Sequence, residues 1–412
     1  MRRGTTRRFS TTPGTRDMLP PEAMRLTDVQ SKVIERFRAH GFREVITPAL
    51  EYAEVIEEPR LRDASFKLFD PDNQMLLLRP EMTTPIARLV AQRMKEAPAP
   101  HKLSYSLPVY RRSGVGRGQS AEFHQAGVEV VGSSSPGEDA GAVSLLIDVL
   151  ESLGLRSGTD FSVVLGQASF YRGYIEEFAP EASRELLSAL GGKDLVRVEE
   201  VSRSLPGEVA SAARTIPRIV GSAEDGSVLE RARKYAVGEA KRALDNLREI
   251  LEHLDAVGKL GAAMLDFGLI GRHGYYTGAV YEVYASGMGF TVANGGRYDH
   301  LLEDFGESLP ATGFAISLER LISVLPRETE TSLLILAGSD ASATNAADRL
   351  RKNGVSVLHL AEDLSPEKAF EYAASVDAGW VGYPVDGGIK LAKSGGGDFE
   401  MVPLDEVAGR LR

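Results

Sequence analysis

Tyr105 to Gly132 reads YSLPVYRRSGVGRGQSAEFHQAGVEVVG. Toward its end the apolar residues Ala126, Val128 and Val130 alternate with Gln125, Gly127 and Glu129. A period of two sends neighbouring side chains to opposite faces of a strand. The pattern predicts a strand with an amide and a carboxylate side by side on one face, over a glycine that leaves room for a ligand. Two polar residues on a strand face also mark a solvent side, and the alternation alone fits both readings. His124 falls on the other face, where packing is its expected role.

Upstream, Phe66 to Phe69 and Met75 to Leu78 flank Pro71-Asp72-Asn73, turn chemistry that predicts a hairpin. Arg79-Pro80-Glu81-Met82-Thr83 follows, and Thr84-Pro85 opens a helix through Ile86, Leu89 and Val90. A Glu-X-Thr at that place suits a helix cap. Taken alone it is more often a cap than an ammonium ligand, which in a half-buried pocket needs a carboxylate and neutral acceptors. Closer to the N-terminus, Leu26, Val29, Val33 and Phe37 share a helical face. Pro21 suits its first turn and Gly41 ends it. Phe42 to Pro48 predicts a strand that the proline stops.

Downstream, Asp139 to Leu153 predicts an amphipathic helix and Phe161 to Gly166 a strand. From about 168 to 258 the chain is rich in Ala, Glu, Arg and Leu at helical spacing, which predicts a helical insertion. Leu265 to Gly278 contains the pair Tyr275-Tyr276, residues common as strand packing. Gly295-Gly296 reads as a tight turn before Arg297-Tyr298-Asp299. Beyond about 331, Leu333–Leu336, Val355–Leu358 and Trp380–Gly382 alternate with helical runs at Ala341–Lys352 and Ser365–Ala374. This βαβαβ rhythm predicts a small doubly wound domain.

The chain has 412 residues, 43% hydrophobic and 26% charged, with a formal net charge of −10. That length suits two or three domains at ~150 residues each, and the acidic balance argues against a dedicated nucleic-acid binder. Residues 331–412 hold eight Lys/Arg against twelve Asp/Glu, a poor complement for phosphates. There is no cysteine, so disulfides and thiolate metal sites are excluded and a reducing compartment fits. The seven histidines never approach HExxH spacing, and no metal site or cofactor is indicated. No apolar run reaches the ~18 residues that suggest a membrane span. Residues 1–16 carry five arginines and no acid. Without the apolar face of a transit helix, a disordered basic tail over 1–12 is expected there.

Several stretches together resemble the histidyl branch of the class II aminoacyl-tRNA synthetases. Gly14-Thr15-Arg16-Asp17 is similar to that family's opening, and Phe42 to Pro48 to its motif 1, whose proline lies at a dimer interface. Arg111 with Phe123-His124-Gln125, Gly127 and Glu129 resembles motif 2. Phe267 to Gly278 resembles the histidine-specific motif, Gly295 to Asp299 its partner, and Gly313-Phe314-Ala315 through Glu319-Arg320-Leu321 motif 3. The resemblance implies that Glu81, Thr83 and Gln125 hold an α-amino group, and that Glu129, Tyr275 and Tyr276 face an imidazole. It makes Arg111, Arg272 and Arg320 possible anion sites. The chain also departs from the family. Ser113 stands where a glutamate holds adenine, Gln119 and Ala121 where loop arginines are usual, and Gly271 where an arginine contacts the reacting carboxylate and α-phosphate. The amino-acid side of the site is kept and its nucleotide side is lost.

That asymmetry, with RPEMTTPIAR at 79–88, resembles the regulatory subunits of ATP phosphoribosyltransferase, a non-catalytic branch of the same family. The fold implied is α/β: a class II synthetase-like antiparallel core over 13–328 with the insertion at about 168–258, then an anticodon-binding-like βαβ domain over 331–412. The function implied is cytoplasmic and regulatory, with no catalytic residue and no nucleic-acid or membrane partner. The partners implied are a short-form catalytic subunit, a second copy bound through the core within a hetero-octamer, and histidine as effector. A divergent histidine–tRNA ligase or an orphan histidyl-like binding module are the alternatives.

Overall fold

Alternation at 125–130 becomes an interior strand, third in order, of a nine-stranded sheet. The computed structural model describes residues 10–112, 120–271, 276–326 and 333–411. Helix α1 (Pro20–Ala39) leads into strands β1 (Arg43–Glu44) and β2 (Leu50–Tyr52), helix α2 (Pro59–Ala64) and the hairpin β3 (Lys67–Phe69) and β4 (Met75–Leu78). Helix α3 (Thr83–Arg93), the long strands β5 (His101–Tyr110) and β6 (Glu122–Val131), helix α4 (Pro136–Ser152) and strand β7 (Phe161–Gln167) follow. Helices α5 (Ala168–Phe178), α6 (Pro180–Gly191), α7 (Leu195–Ser202), α8 (Gly207–Thr215), α9 (Gly226–Arg233) and α10 (Gly238–Ala256) occupy the insertion, with the short strand β8 (Val220–Ser222) among them. Strands β9 (Ala263–Asp266), β10 (Ala279–Ala285), β11 (Thr291–Arg297) and β12 (Ala311–Ser317) and helix α11 (Leu318–Val324) complete this part.

The sheet runs β1-β5-β6-β12-β11-β10-β7-β9-β8. From β5 to β7 every neighbouring pair is antiparallel. Helices cover both faces, which is why Ala126, Val128 and Val130 are buried together with Gln125 and Glu129. On the back, Phe37 of α1 meets Phe314 of β12 edge-on at 5.8 Å, and burial of an aromatic ring of that kind stabilises by ~1.5–3 kcal/mol. Also on the back, Arg297 at the end of β11 reaches Asp139 of α4 at 2.9 Å, with both side chains nearly fully buried. Losing Arg297 would leave the Asp139 carboxylate buried without its cation, at a cost of about 3–5 kcal/mol, whereas Arg297 keeps a second partner in Asp299 at 3.1 Å.

The strand expected over 42–48 is short. Only Arg43 and Glu44 pair with β5, in parallel. Arg79, buried at the end of the hairpin, takes the next carbonyls, donating to Thr47 O at 2.8 Å and Pro48 O at 3.3 Å. The backbone there is satisfied by a guanidinium, so it need not continue a ladder. The glycine pair forms no turn. Gly295 and Gly296 lie inside β11, paired with Tyr281 and Val280 on one side and with Phe314 and Gly313 on the other.

Among the described residues, those up to 17 together with 25–325 form one compact unit, and 18–24 together with those from 326 onward a second. Of the tail expected over 1–12, residues 1–9 fall outside the described residues, while Thr11 and Thr12 bond locally to Thr15. In the second unit, strands β13 (Leu334–Ala337), β14 (Val357–Leu360) and β15 (Trp380–Val385) are parallel, with helices α12 (Ala341–Lys352) and α13 (Pro366–Ser375) between them. The rhythm continues beyond the expected three strands. Antiparallel strands β16 (Gly388–Lys393) and β17 (Glu400–Val402) extend the sheet, and helix α14 (Val407–Arg410) ends the chain. The turn from β15 to β16 is Asp386-Gly387 with φ +88° at the glycine, a left-handed conformation that glycine adopts at little cost.

Candidate functional site

The front face of the antiparallel core is hollowed by glycines. Gly127, Gly313 and Gly296 lie on that face in β6, β12 and β11. A Cβ at Gly313 would fall 2.0 Å from Glu129 Oε2, and one at Gly127 would fall 2.4 Å from the Tyr105 hydroxyl. Only hydrogen at these positions lets the carboxylate lie across the sheet. The resulting trough is lined by Gln125, Glu129, Asn294 and Tyr298, by Glu81 and Thr83 at the start of α3, and by Arg111 and Tyr276.

Gln125 and Glu129 are 8% and 1% exposed. The solvent-side reading of their strand face therefore fails; Glu81 and Thr83 at the start of α3 and Tyr276 line the same trough. Glu129 accepts from Thr83 Oγ1 at 2.9 Å and from the Tyr298 hydroxyl. Burial pushes its carboxyl up to about 8, against the pull of those two donors and with a further push from Glu81. The same burial holds the Tyr105 phenol well above its usual range. The Gln125 amide oxygen and the Tyr105 hydroxyl are buried without a protein partner. Unmet acceptors of this kind cost free energy unless something binds them.

Glu81 serves twice. Its carboxylate accepts from the backbone N–H of Thr83 and of Thr84, at 3.0 Å for the latter, which satisfies the first turn of α3. It also lines the trough. The cap reading and the ligand reading of Glu-X-Thr are thus structurally compatible. Arg111 lies at the trough with Nε donating to Pro80 O at 2.6 Å and its guanidinium 5.5 Å from the Phe123 ring centre.

The other expected residues are placed as follows. Arg320 is not part of the lining; it donates to Thr291 O at 2.9 Å and stacks over Phe290 at 5.4 Å. His124 does more than pack, since its Nδ1 lies 3.0 Å from Glu319 Oε1 at the start of α11. Tyr275, Arg272, Ser113 and Gln119 lie outside the described residues. Ala121 is buried and its N–H donates to Gly14 O at 2.6 Å. Sequence reasoning missed Asn294, Tyr298 and Gly313 as pocket residues. The signal was available for Asn294, which sits two residues before Gly296 and so shares its face.

Chemically, the trough offers two carboxyls, an unpartnered amide oxygen and phenols, with one guanidinium at its side. That set suits a small zwitterion whose cationic groups enter and whose anionic group meets Arg111. Among the described residues no cluster of His, Asp and Glu is placed to hold a metal ion, and no helix is long and apolar enough to cross a membrane.

A family model described as histidyl-tRNA synthetase matches residues 14–321. An ATP phosphoribosyltransferase regulatory subunit of Rubrobacter xylanophilus is 69% identical over 411 residues, covering 100% of each chain. A solved structure from Bacillus halodurans, described as an ATP phosphoribosyltransferase regulatory subunit/histidyl-tRNA synthetase, superposes with a TM-score of 0.77 at 28% identity. It covers 89% of this chain and 96% of its own. Histidyl-tRNA synthetase from Nostoc reaches a TM-score of 0.82 at 20% identity, covering 98% of this chain and 99% of its own, a likeness of fold alone. The antiparallel core with its mixed α/β surroundings is the class II synthetase-like fold that the motifs imply.

Proposed function

Because the chain belongs to the histidyl-tRNA synthetase family, and within it to the ATP phosphoribosyltransferase regulatory subunits, we propose that it regulates that transferase and catalyses nothing itself. It binds a short-form catalytic subunit in the cytoplasm, is required for that subunit's activity, and confers feedback inhibition by histidine on the first step of histidine biosynthesis. Glu81, Thr83 and Gln125 receive the α-amino group, Glu129 and Tyr276 the imidazole, and Arg111 the carboxylate. Inhibition follows if histidine binds two arrangements of the complex with different affinity and shifts their populations.

One observation carries this reading. The buried Gln125–Glu129 face has an open amide acceptor beside the Glu129 carboxyl, with Glu81 lining the same trough, while glycine stands at 271, where the resemblance puts the adenylating arginine. The homodimer reading has its own support. The small sheet β2-β4-β3 turns one face to Leu77 and the core beneath it. Leu50, Tyr52 and Leu68 on the other face are 45%, 54% and 40% exposed. Exposed apolar sets of that kind mark protein interfaces, and the proposed occupant is a second copy within a hetero-octamer.

Calorimetric titration with histidine tests the pocket. The natural protein should bind, and Glu129→Ala should weaken binding by at least about tenfold, near 1.4 kcal/mol. Unchanged binding in that variant would remove the pocket assignment. Histidine-dependent exchange of pyrophosphate into ATP tests the ligase alternative and should be absent.

A further inference from the structure

The ring of Tyr276 lies between two glycines. On one side, a Cβ built on Gly271 would stand 2.4 Å from Cδ2 and 3.0 Å from Cε2. On the other, a Cβ on Gly296 would stand 2.8 Å from Cδ1 and from Cε1. Carbon atoms in contact sit about 3.5–4.0 Å apart, so a side chain at either position displaces the ring. Gly271 also has φ +81°, a conformation that glycine adopts at little cost. The ring packs with Ala168, Leu269 and Val280. Its backbone is tied to the insertion, because Arg172 Nη2 donates to Tyr276 O at 3.1 Å.

We propose that Gly271 is a positioning residue for the ligand pocket. By carrying no side chain it seats Tyr276 as a fixed wall of the trough, and so sets the width available to a small ligand. With the backbone in this conformation, the seated ring and any side chain at 271 exclude each other. A cation cannot be placed at 271 without unseating the wall. For the identity of the ligand this inference rests on the histidine reading; the seating itself does not depend on it.

Gly271 is the better test site of the two. The nearest neighbours of its virtual Cβ are all atoms of Tyr276, whereas a Cβ at Gly296 would also meet Ala279 O at 2.6 Å and disturb the β10–β11 ladder. The experiment is a double-mutant cycle on Gly271→Ala and Tyr276→Ala, read by thermal unfolding and by calorimetry with histidine. Gly271→Ala alone should lower Tm and weaken histidine binding by about tenfold or more. In the Tyr276→Ala background the same change should shift binding by less than about twofold and lower Tm by less, because the ring it would strike is gone. Equal effects in both backgrounds would reduce Gly271 to a case of backbone strain and overturn the proposal. So would natural histidine affinity in Gly271→Ala. If the natural protein binds no histidine, the ligand reading falls, and the unfolding cycle still decides whether Gly271 seats the ring.

Discussion

Glu129 is the residue on which binding and stability pull in opposite directions. Its carboxyl titrates near 8 when folded and near 4.3 in an unfolded chain. Between those values the folded state holds a proton that the unfolded state has released. Its contribution to stability therefore falls as pH rises from the unfolded value through the folded one. Glu129→Gln removes the titration. The variant should gain on the order of 2 kcal/mol over the natural protein at pH 8.5 and little at pH 5, read as a difference in Tm that widens with pH. Equal Tm differences at both values would mean that the carboxyl is ionised throughout. At this scale the sequence was informative where period two applies. Gln125 and Glu129 share a face by alternation, and the structure brings them together in the trough. Gly295-Gly296 was not legible locally, because a glycine pair looks the same in a turn and in a strand. What distinguishes them here is Tyr281 and Phe314 on flanking strands, information that no short window contains.

Among the elements, strongly periodic helices were the easiest to read. Leu26, Val29, Val33 and Phe37 are the buried residues of α1, as their spacing predicts. Strands depended on partners. The run at 42–48 lost its second half to the Arg79 guanidinium, a contact made from 32 residues away. The hairpin of β16 was missed although Asp386-Gly387 is a recognised turn signal. The element with the largest functional consequence is the β2-β4-β3 sheet, whose exposed face carries the proposed contact with a second copy. Tyr52 is half exposed at its centre and pairs with Leu76, which in turn pairs with Leu68. Tyr52→Glu would place a charge in the middle of an apolar interface, which costs several kcal/mol when unpaired. Sedimentation should show the natural chain as a dimer and Tyr52→Glu shifted to monomer with its far-ultraviolet dichroism intact. A dimer that survives the change would move the interface elsewhere.

For the whole molecule, the proposed reading is that a synthetase-like scaffold keeps a place for an amino acid and closes the route to its activation. Gly271 and the seated Tyr276 ring occupy the side where the resemblance expects a catalytic cation. Glu81, Gln125 and Glu129 remain buried around the trough. Such a site can report the presence of a ligand, and reporting requires a partner whose activity depends on the state reported. The most direct measurement adds this chain to a short-form ATP phosphoribosyltransferase catalytic subunit and follows phosphoribosyl-ATP formation with and without histidine. The expected result is little activity from either protein alone, strong activity from the mixture, and suppression of that activity by histidine. A mixture no more active than the catalytic subunit by itself, or one indifferent to histidine, would contradict the proposed role.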